Sequence, residues 1–219
     1  IADYKVYSDW DWNGWTEITG NGYCFSRLSN PTGICGKSGD VILIFVDSDI
    51  PTGTTLQIEV VSGTNSSGAC SNLTKGLNSI ILSEDANLFV YYNAEVTKDG
   101  NGYYSYPKLS DIEDIKIHIE GGKVNGYFDL TKGDTNMDWS KLQSYLLKEN
   151  SVVNLKTNYL MFNMNRDLVK QYCPLYMVEL LNIWDNIIKS QHNLMGYEDY
   201  EGYFNNLLVA ASIDNSYMY

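Results

Sequence analysis

The sequence predicts an α+β protein: an antiparallel β-sandwich of jelly-roll type, followed by a partial mixed α/β layer. Three observations carry that prediction. Short apolar stretches of strand length recur from Gly39 to Ile119, separated by turns rich in Gly, Ser and Asn. The hydrophobic period then changes from two to about 3.6 after the glycine turns at Gly121-Gly122 and Gly133. Beyond that point strand-like and helix-like segments alternate. The division is placed near residue 135, giving a sandwich over residues 1–135 and the N-terminal part of a second domain over 136–219.

The first third is loop-rich and punctuated by glycine. It contains Asp9-Trp10-Asp11-Trp12-Asn13-Gly14, which matches the first six positions of an EF-hand loop. Asp9, Asp11 and Asn13 can place three oxygens on one hard cation, so they form a candidate calcium site. Position twelve of that loop is Gly20, where a bidentate carboxylate belongs, and no helix flanks either end. The other reading is a solvated turn anchored by Trp10, Trp12 and Trp15.

From Gly39 the pattern is β. Val41 to Val46 is an apolar run ended by the turn cluster Asp47 to Gly53. Leu56, Ile58 and Val60 alternate as a half-buried strand. Leu77 to Leu82 and Leu88 to Tyr92 follow, and strict alternation from Ile115 to Ile119 closes the series. Tyr103, Tyr104 and Tyr106 lie in a polar loop. His118 and Glu120 share one strand face as His-x-Glu, without the Pro-Cys-x-x-Cys that a deaminase zinc site needs.

In the second domain Asp138 is expected to cap a helix whose Trp139, Leu142, Tyr145 and Leu146 share a face, with Asn150 ending it. Val152 to Met164 reads as strand, and Asn165 caps a segment leading to Pro174. The longest helix then carries Leu175, Val178, Leu181, Trp184 and Ile188 at spacings of three and four. Met177, Leu180, Ile183 and Ile187 widen that stripe, which predicts a helix buried between layers. Pro174 fits its first turn, Asp185 and Lys189 an exposed i,i+4 pair, and Gly196 its stop. Phe204 to Ile213 reads as a strand or a short buried helix.

Composition narrows the function. The chain is 44% hydrophobic and 19% charged, ordinary for a globular protein. A net charge of −12 argues against nucleic acid and against an electrostatic hold on anionic lipid. No segment approaches the roughly 18–20 apolar residues of a transmembrane helix. The four cysteines show neither CxxC spacing nor the density of a disulfide scaffold; a Cys24–Cys35 bridge stays open, and Cys173 reads as a small core residue. No signal peptide is visible, and a chain beginning at Ile1 is expected to have lost a leader and upstream sequence. The 18 tyrosines fit either strand edges or a surface that stacks on sugar rings.

Residues Trp184 to Gly196, then Phe204-Asn205-Asn206, then Ser216 to Tyr219, resemble the M60-like (enhancin) metallopeptidases. Asn158 to Phe162 and Ile115 to Gly122 add to the likeness, which covers roughly residues 38 to 219. In that family such a helix–loop–strand block lies just upstream of the zinc-binding helix. The resemblance therefore implies a secreted or surface zinc hydrolase acting on glycosylated, mucin-like proteins. A zincin needs two His one helical turn apart with a Glu between them. The two histidines here, His118 and His192, stand far apart and neither begins His-Glu-x-x-His. The chain alone is thus expected to be inactive, its zinc motif lying past Tyr219. Asn205, Asn206, Tyr217 and Tyr219 are expected nearest the substrate cleft. The competing expectation is a non-catalytic carbohydrate-binding or adhesion module, stacking sugar on Trp10, Trp12 and Trp15 or on the Tyr103–Tyr106 loop. Either reading places the protein outside the cell or on its surface, with a glycan or glycoprotein partner.

Overall fold

The computed structural model describes residues 1–8, 30–64, 68–95, 97–102, 104–105, 108–194 and 209–212. Its strands are β1 (Ala2–Tyr4), β2 (Tyr7–Ser8), β3 (Asn30–Gly36), β4 (Val41–Val46), β5 (Thr54–Val61), β6 (Ala69–Asn72), β7 (Gly76–Ile81) and β8 (Ala86–Ala94). There follow β9 (Thr97–Lys98), β10 (Tyr104–Ser105), β11 (Ile115–Glu120), β12 (Lys123–Val124) and β13 (Phe128–Asp129). After α1 (Asn136–Tyr145) come β14 (Val152–Lys156), β15 (Leu160–Asn165), α2 (Arg166–Tyr172), α3 (Met177–Leu194) and β16 (Val209–Ser212). The α+β class read from the sequence is the class observed.

Two sheets make the sandwich. One runs β1-β11-β4-β7; the other runs β12-β3-β8-β5-β6, with β2 alongside β8. Alternation supplies the core: Ile42, Ile44 and Val46 from β4 and Ile115 and Ile117 from β11 meet Leu56, Ile58, Leu88, Val90 and Tyr92 from the facing sheet. The run Val41 to Val46 looks continuous in sequence but is half exposed. Val41, Leu43 and Phe45 face outward beside Leu77 and Ile81 of β7.

A third sheet, β13-β14-β15-β16, is mixed: β13–β14 and β15–β16 are parallel, β14–β15 antiparallel. One face takes the helices. Val153, Leu155, Leu160 and Phe162 pack with Trp139, Val169, Met177 and Leu181, and Trp184 meets Phe162 edge-on at 5.7 Å. The opposite face lies on the sandwich, where Met161 joins Tyr7, Val61 and Phe89 in a small apolar cluster. Asn163 Nδ2 donates to the Gly63 carbonyl across the same seam, at 3.1 Å. β8 is therefore covered on both sides, and all nine of its residues are buried.

The helices differ from their sequence reading in instructive ways. Thr135, not Asp138, is the N-cap of α1; Asp138 is the N3 partner of a reciprocal capping box. Trp139 and Leu142 are buried, but Tyr145 is 77% exposed and the helix ends there. α3 begins at Met177, three residues after Pro174, because Asn136 Oδ1 accepts from Val178 N at 2.9 Å and so closes its first turn. It is buried on one face only: Ile183 is 57% and Ile187 40% exposed, and Leu175 precedes the helix. Asp185 is not on the exposed side. It is 7% exposed and accepts from Thr157 Oγ1, from Asn158 N and Nδ2 and from Tyr159 N, which ties α3 to the β14–β15 turn.

Cys35 is buried and free; Cys24, the other half of the bridge left open by the sequence, lies outside the described residues. Cys173 is half-buried against the helix core, as its sequence context suggests. Residues 209–212, inside the Phe204–Ile213 stretch, form strand β16 rather than helix.

Candidate functional site

The sequence-derived site residues Asp9, Trp10, Asp11, Trp12, Asn13 and Trp15, and likewise Asn205, Asn206, Tyr217 and Tyr219, lie outside the described residues. So do Tyr103 and Tyr106. His118 and Glu120 are described: Nε2 and Oε1 are 2.7 Å apart on the outer face of the β1-β11-β4-β7 sheet. One imidazole and one carboxylate on an open sheet face are not a zinc site. Among the described residues no group of three or more His, Cys, Asp or Glu is placed to hold a metal.

Two polar cavities open near the seam between the sandwich and the third sheet. The larger, about 340 Å³, is walled by Cys35, Lys37, Asp85, Lys123 and Glu149. Its lysines are already matched: Lys37 Nζ meets Asp85 Oδ2 and Lys123 Nζ meets Glu149 Oε2, each at 2.8 Å. Burial pushes the Cys35 thiol up, away from the reactive thiolate.

The second cavity, about 250 Å³, lies between Lys5, Tyr7 and Asn30 of the sandwich and Tyr127, Lys132 and Lys156 at the third sheet. Several local features build it. β3 carries a bulge between Pro31 and Cys35, and Gly33 there has φ of +71°. Its carbonyl accepts from the Asn125 and Gly126 amides at 2.8 and 2.9 Å. A side chain at Gly33 would meet the Tyr127 ring at 3.0 Å, so glycine allows Tyr127 to form a wall. β13 runs parallel to β14 with Asp129 opposite Lys156.

Lys156 is the unusual group. It is 7% exposed, and its ammonium donates to Asn30 Oδ1 at 3.1 Å and stands 5.3 Å from the centre of the Tyr7 ring. Lys5 Nζ lies over the same ring at 5.8 Å. Lys132 Nζ donates to the Tyr127 hydroxyl. Among the described residues, none of these three lysines is ion-paired to a carboxylate. Asp129 is occupied by the Thr131 amide and hydroxyl, at 2.9 and 2.6 Å. Burial pushes Lys156 down to about 8; Asp129 opposes that fall, and Lys132 and Lys5 add to it. Burial also raises Tyr7, helped by Asp129 and Asp114.

This cavity was not legible in the sequence. Val152-Val-Asn-Leu-Lys156 alternates, which places Asn154 and Lys156 on a face expected to meet water. That face instead meets the sandwich, where Lys156 Nζ donates to Asn30 Oδ1 and Asn163, bonded to Asn154 on the neighbouring strand, donates to the Gly63 carbonyl. The available signal was a lysine inside an otherwise apolar and amide strand.

No family model matches the chain, and a search of curated proteins finds no relative. Solved structures do match. A metallopeptidase from Bacteroides thetaiotaomicron is 29% identical with a TM-score of 0.79, over 100% of this chain and 36% of its own. A metallopeptidase in complex with Tn antigen is 28% identical with a TM-score of 0.78, over 100% of this chain and 39% of its own. The M60 catalytic domain of Clostridium perfringens ZmpC, in complex with sialyl T antigen, shares the fold at 17% identity and a TM-score of 0.56, over 85% of this chain and 39% of its own. The chain thus spans little more than a third of these two metallopeptidases. Its full-length agreement with metallopeptidases, and the sandwich-then-mixed-layer order it shares with M60 catalytic domains, support the M60-like resemblance read from the sequence.

Proposed function

We propose that this chain is the opening part of a secreted or surface zinc metallopeptidase that cleaves glycosylated, mucin-like proteins, with its zinc motif lying past Tyr219. The observation that supports it most is the match of the whole chain to metallopeptidases, one of them bound to Tn antigen, of which it spans 36–39%. A second observation agrees: α3 carries Ile183 and Ile187 on a flank left exposed among the described residues, the kind of surface a further catalytic layer would bury. On this reading residues 1–135 support or present glycan, and residues 136–219 form scaffold under the cleft.

The test is direct. The longer reading frame is expressed and offered a Tn-bearing mucin glycopeptide. Hydrolysis that a chelator abolishes and zinc restores, with none by residues 1–219 alone, is the expected result. A longer frame that binds glycan without hydrolysing any glycoprotein overturns the peptidase reading in favour of a carbohydrate-binding module.

A further inference from the structure

We propose that the cavity between Tyr7, Asn30, Tyr127 and Lys156 is a binding site for a small carboxylate anion, with the Lys156 ammonium as its anchor. This goes beyond the peptidase reading and does not depend on it.

The contrast between the two seam cavities carries the proposal. In the larger one every wall lysine has a carboxylate at 2.8 Å and needs nothing more. In the smaller one three ammonium groups converge and none has such a partner. Two of them stand over a single tyrosine ring. Lys156 has three N–H donors, yet its hydrogen bond among the described residues is to one neutral amide oxygen. A buried ammonium in that condition is costly unless an anion completes it. Asp129 stands opposite Lys156 in the β13–β14 register and favours its charge, but the two share no hydrogen bond or ion pair among the described residues; Asp129 Oδ1 accepts from the Thr131 amide and hydroxyl.

Charge balance selects the class of anion. Lys5, Lys132 and Lys156 face Asp3, Asp114 and Asp129 around the cavity, so its walls are near neutral when Lys156 is charged. One negative charge is accommodated there more easily than the two of a phosphate. Of the remaining wall groups, the Asn30 and Asn158 amides spend one Nδ2 hydrogen each on the Lys5 carbonyl and on Asp185, leaving the second for a carboxylate that also bears hydroxyls. Binding draws a proton onto Lys156, whose ammonium burial holds at about 8, so affinity falls as pH rises through that value.

The test titrates residues 1–219 with acetate, D-glucuronate, phosphate and, as a neutral control, D-glucose, at pH 6.5 and pH 9.5 and constant ionic strength. Binding is read by calorimetry and by the Lys156 amine resonance after ¹³C-methylation. Expected are saturable one-site binding of glucuronate, at least tenfold weaker at pH 9.5, an upward shift of the Lys156 titration, and no response to glucose. Lys156→Met loses the binding and Lys156→Arg keeps part of it. Phosphate binding more tightly than either carboxylate overturns the assignment of class. No saturable binding, equal binding by Lys156→Met, or an unmoved Lys156 titration in the unmutated protein overturns the site itself.

Discussion

Lys156 and Asp185 are buried charges in what the sequence presents as an unremarkable strand and helix, and the structure treats them oppositely. Asp185 accepts hydrogen bonds from Thr157, Asn158 and Tyr159, so its charge is fully used in closing the β14–β15 turn. Removing it strands several donors, and Asp185→Ala is expected to cost about 3 kcal/mol in urea unfolding. Lys156 is under-used, and its folded proton affinity falls from 10.5 to about 8. Between those two values the unfolded chain holds a proton that the folded chain has released, so this group makes stability rise with pH across that window. Lys156→Met lacks the group. It should therefore be more stable than the parent below pH 8, by up to about 3 kcal/mol, and lose that advantage toward pH 10.5. Unfolding curves at pH 7 and pH 10 check this. Neither role was readable in advance: Asp185 has Lys189 four residues on and looks like half of a surface pair, whereas it turns inward to the Thr157 hydroxyl and the Asn158 and Tyr159 amides of a turn distant in sequence.

At the level of elements, corners and caps decide the geometry. The link from the sandwich into β13 passes through Gly126, whose φ is +77° and whose added side chain would lie 2.6 Å from Leu142 and 2.9 Å from Leu146. Gly126→Ala is expected to destabilise by about 2 kcal/mol or more, seen as a lower urea midpoint with an unchanged slope. α3 offers the opposite case. Ile183 and Ile187 face out, so Ile183→Ser with Ile187→Ser should alter the stability of residues 1–219 by within about 0.5 kcal/mol. In the longer protein the same pair should lower the melting temperature if a catalytic layer covers that flank. Periodicity marked this helix correctly but overstated its burial, since a stripe says which residues are apolar and not what covers them. The capping of α1 shows a similar limit: Thr135 and Asp138 both suit a cap, and only backbone placement separates N-cap from N3.

For the molecule as a whole, the strict alternation from Ile115 to Ile119 and the glycine-bounded strands were enough to specify a sandwich. The stacking of a third sheet on it was not visible, because beside Met161 the polar contacts across the seam are made by Lys156 and Asn163, residue types that read as solvent-facing. One outcome of the stacking is that β8 lies in the middle of everything. Its Leu88–Tyr92 amides should exchange with solvent most slowly in the chain, while those of β6, an edge strand with every residue exposed, exchange fastest among the strands of its sheet; hydrogen-exchange mass spectrometry checks the order.

Strand β16 has a further effect on handling. It pairs with β15 on one side, and among the described residues no strand pairs with it on the other. A row of main-chain donors and acceptors along that border invites a foreign strand to zip on. Purified stocks of residues 1–219 should therefore cloud with time and concentration, and a short peptide copying β15 should slow the clouding by occupying the vacancy first.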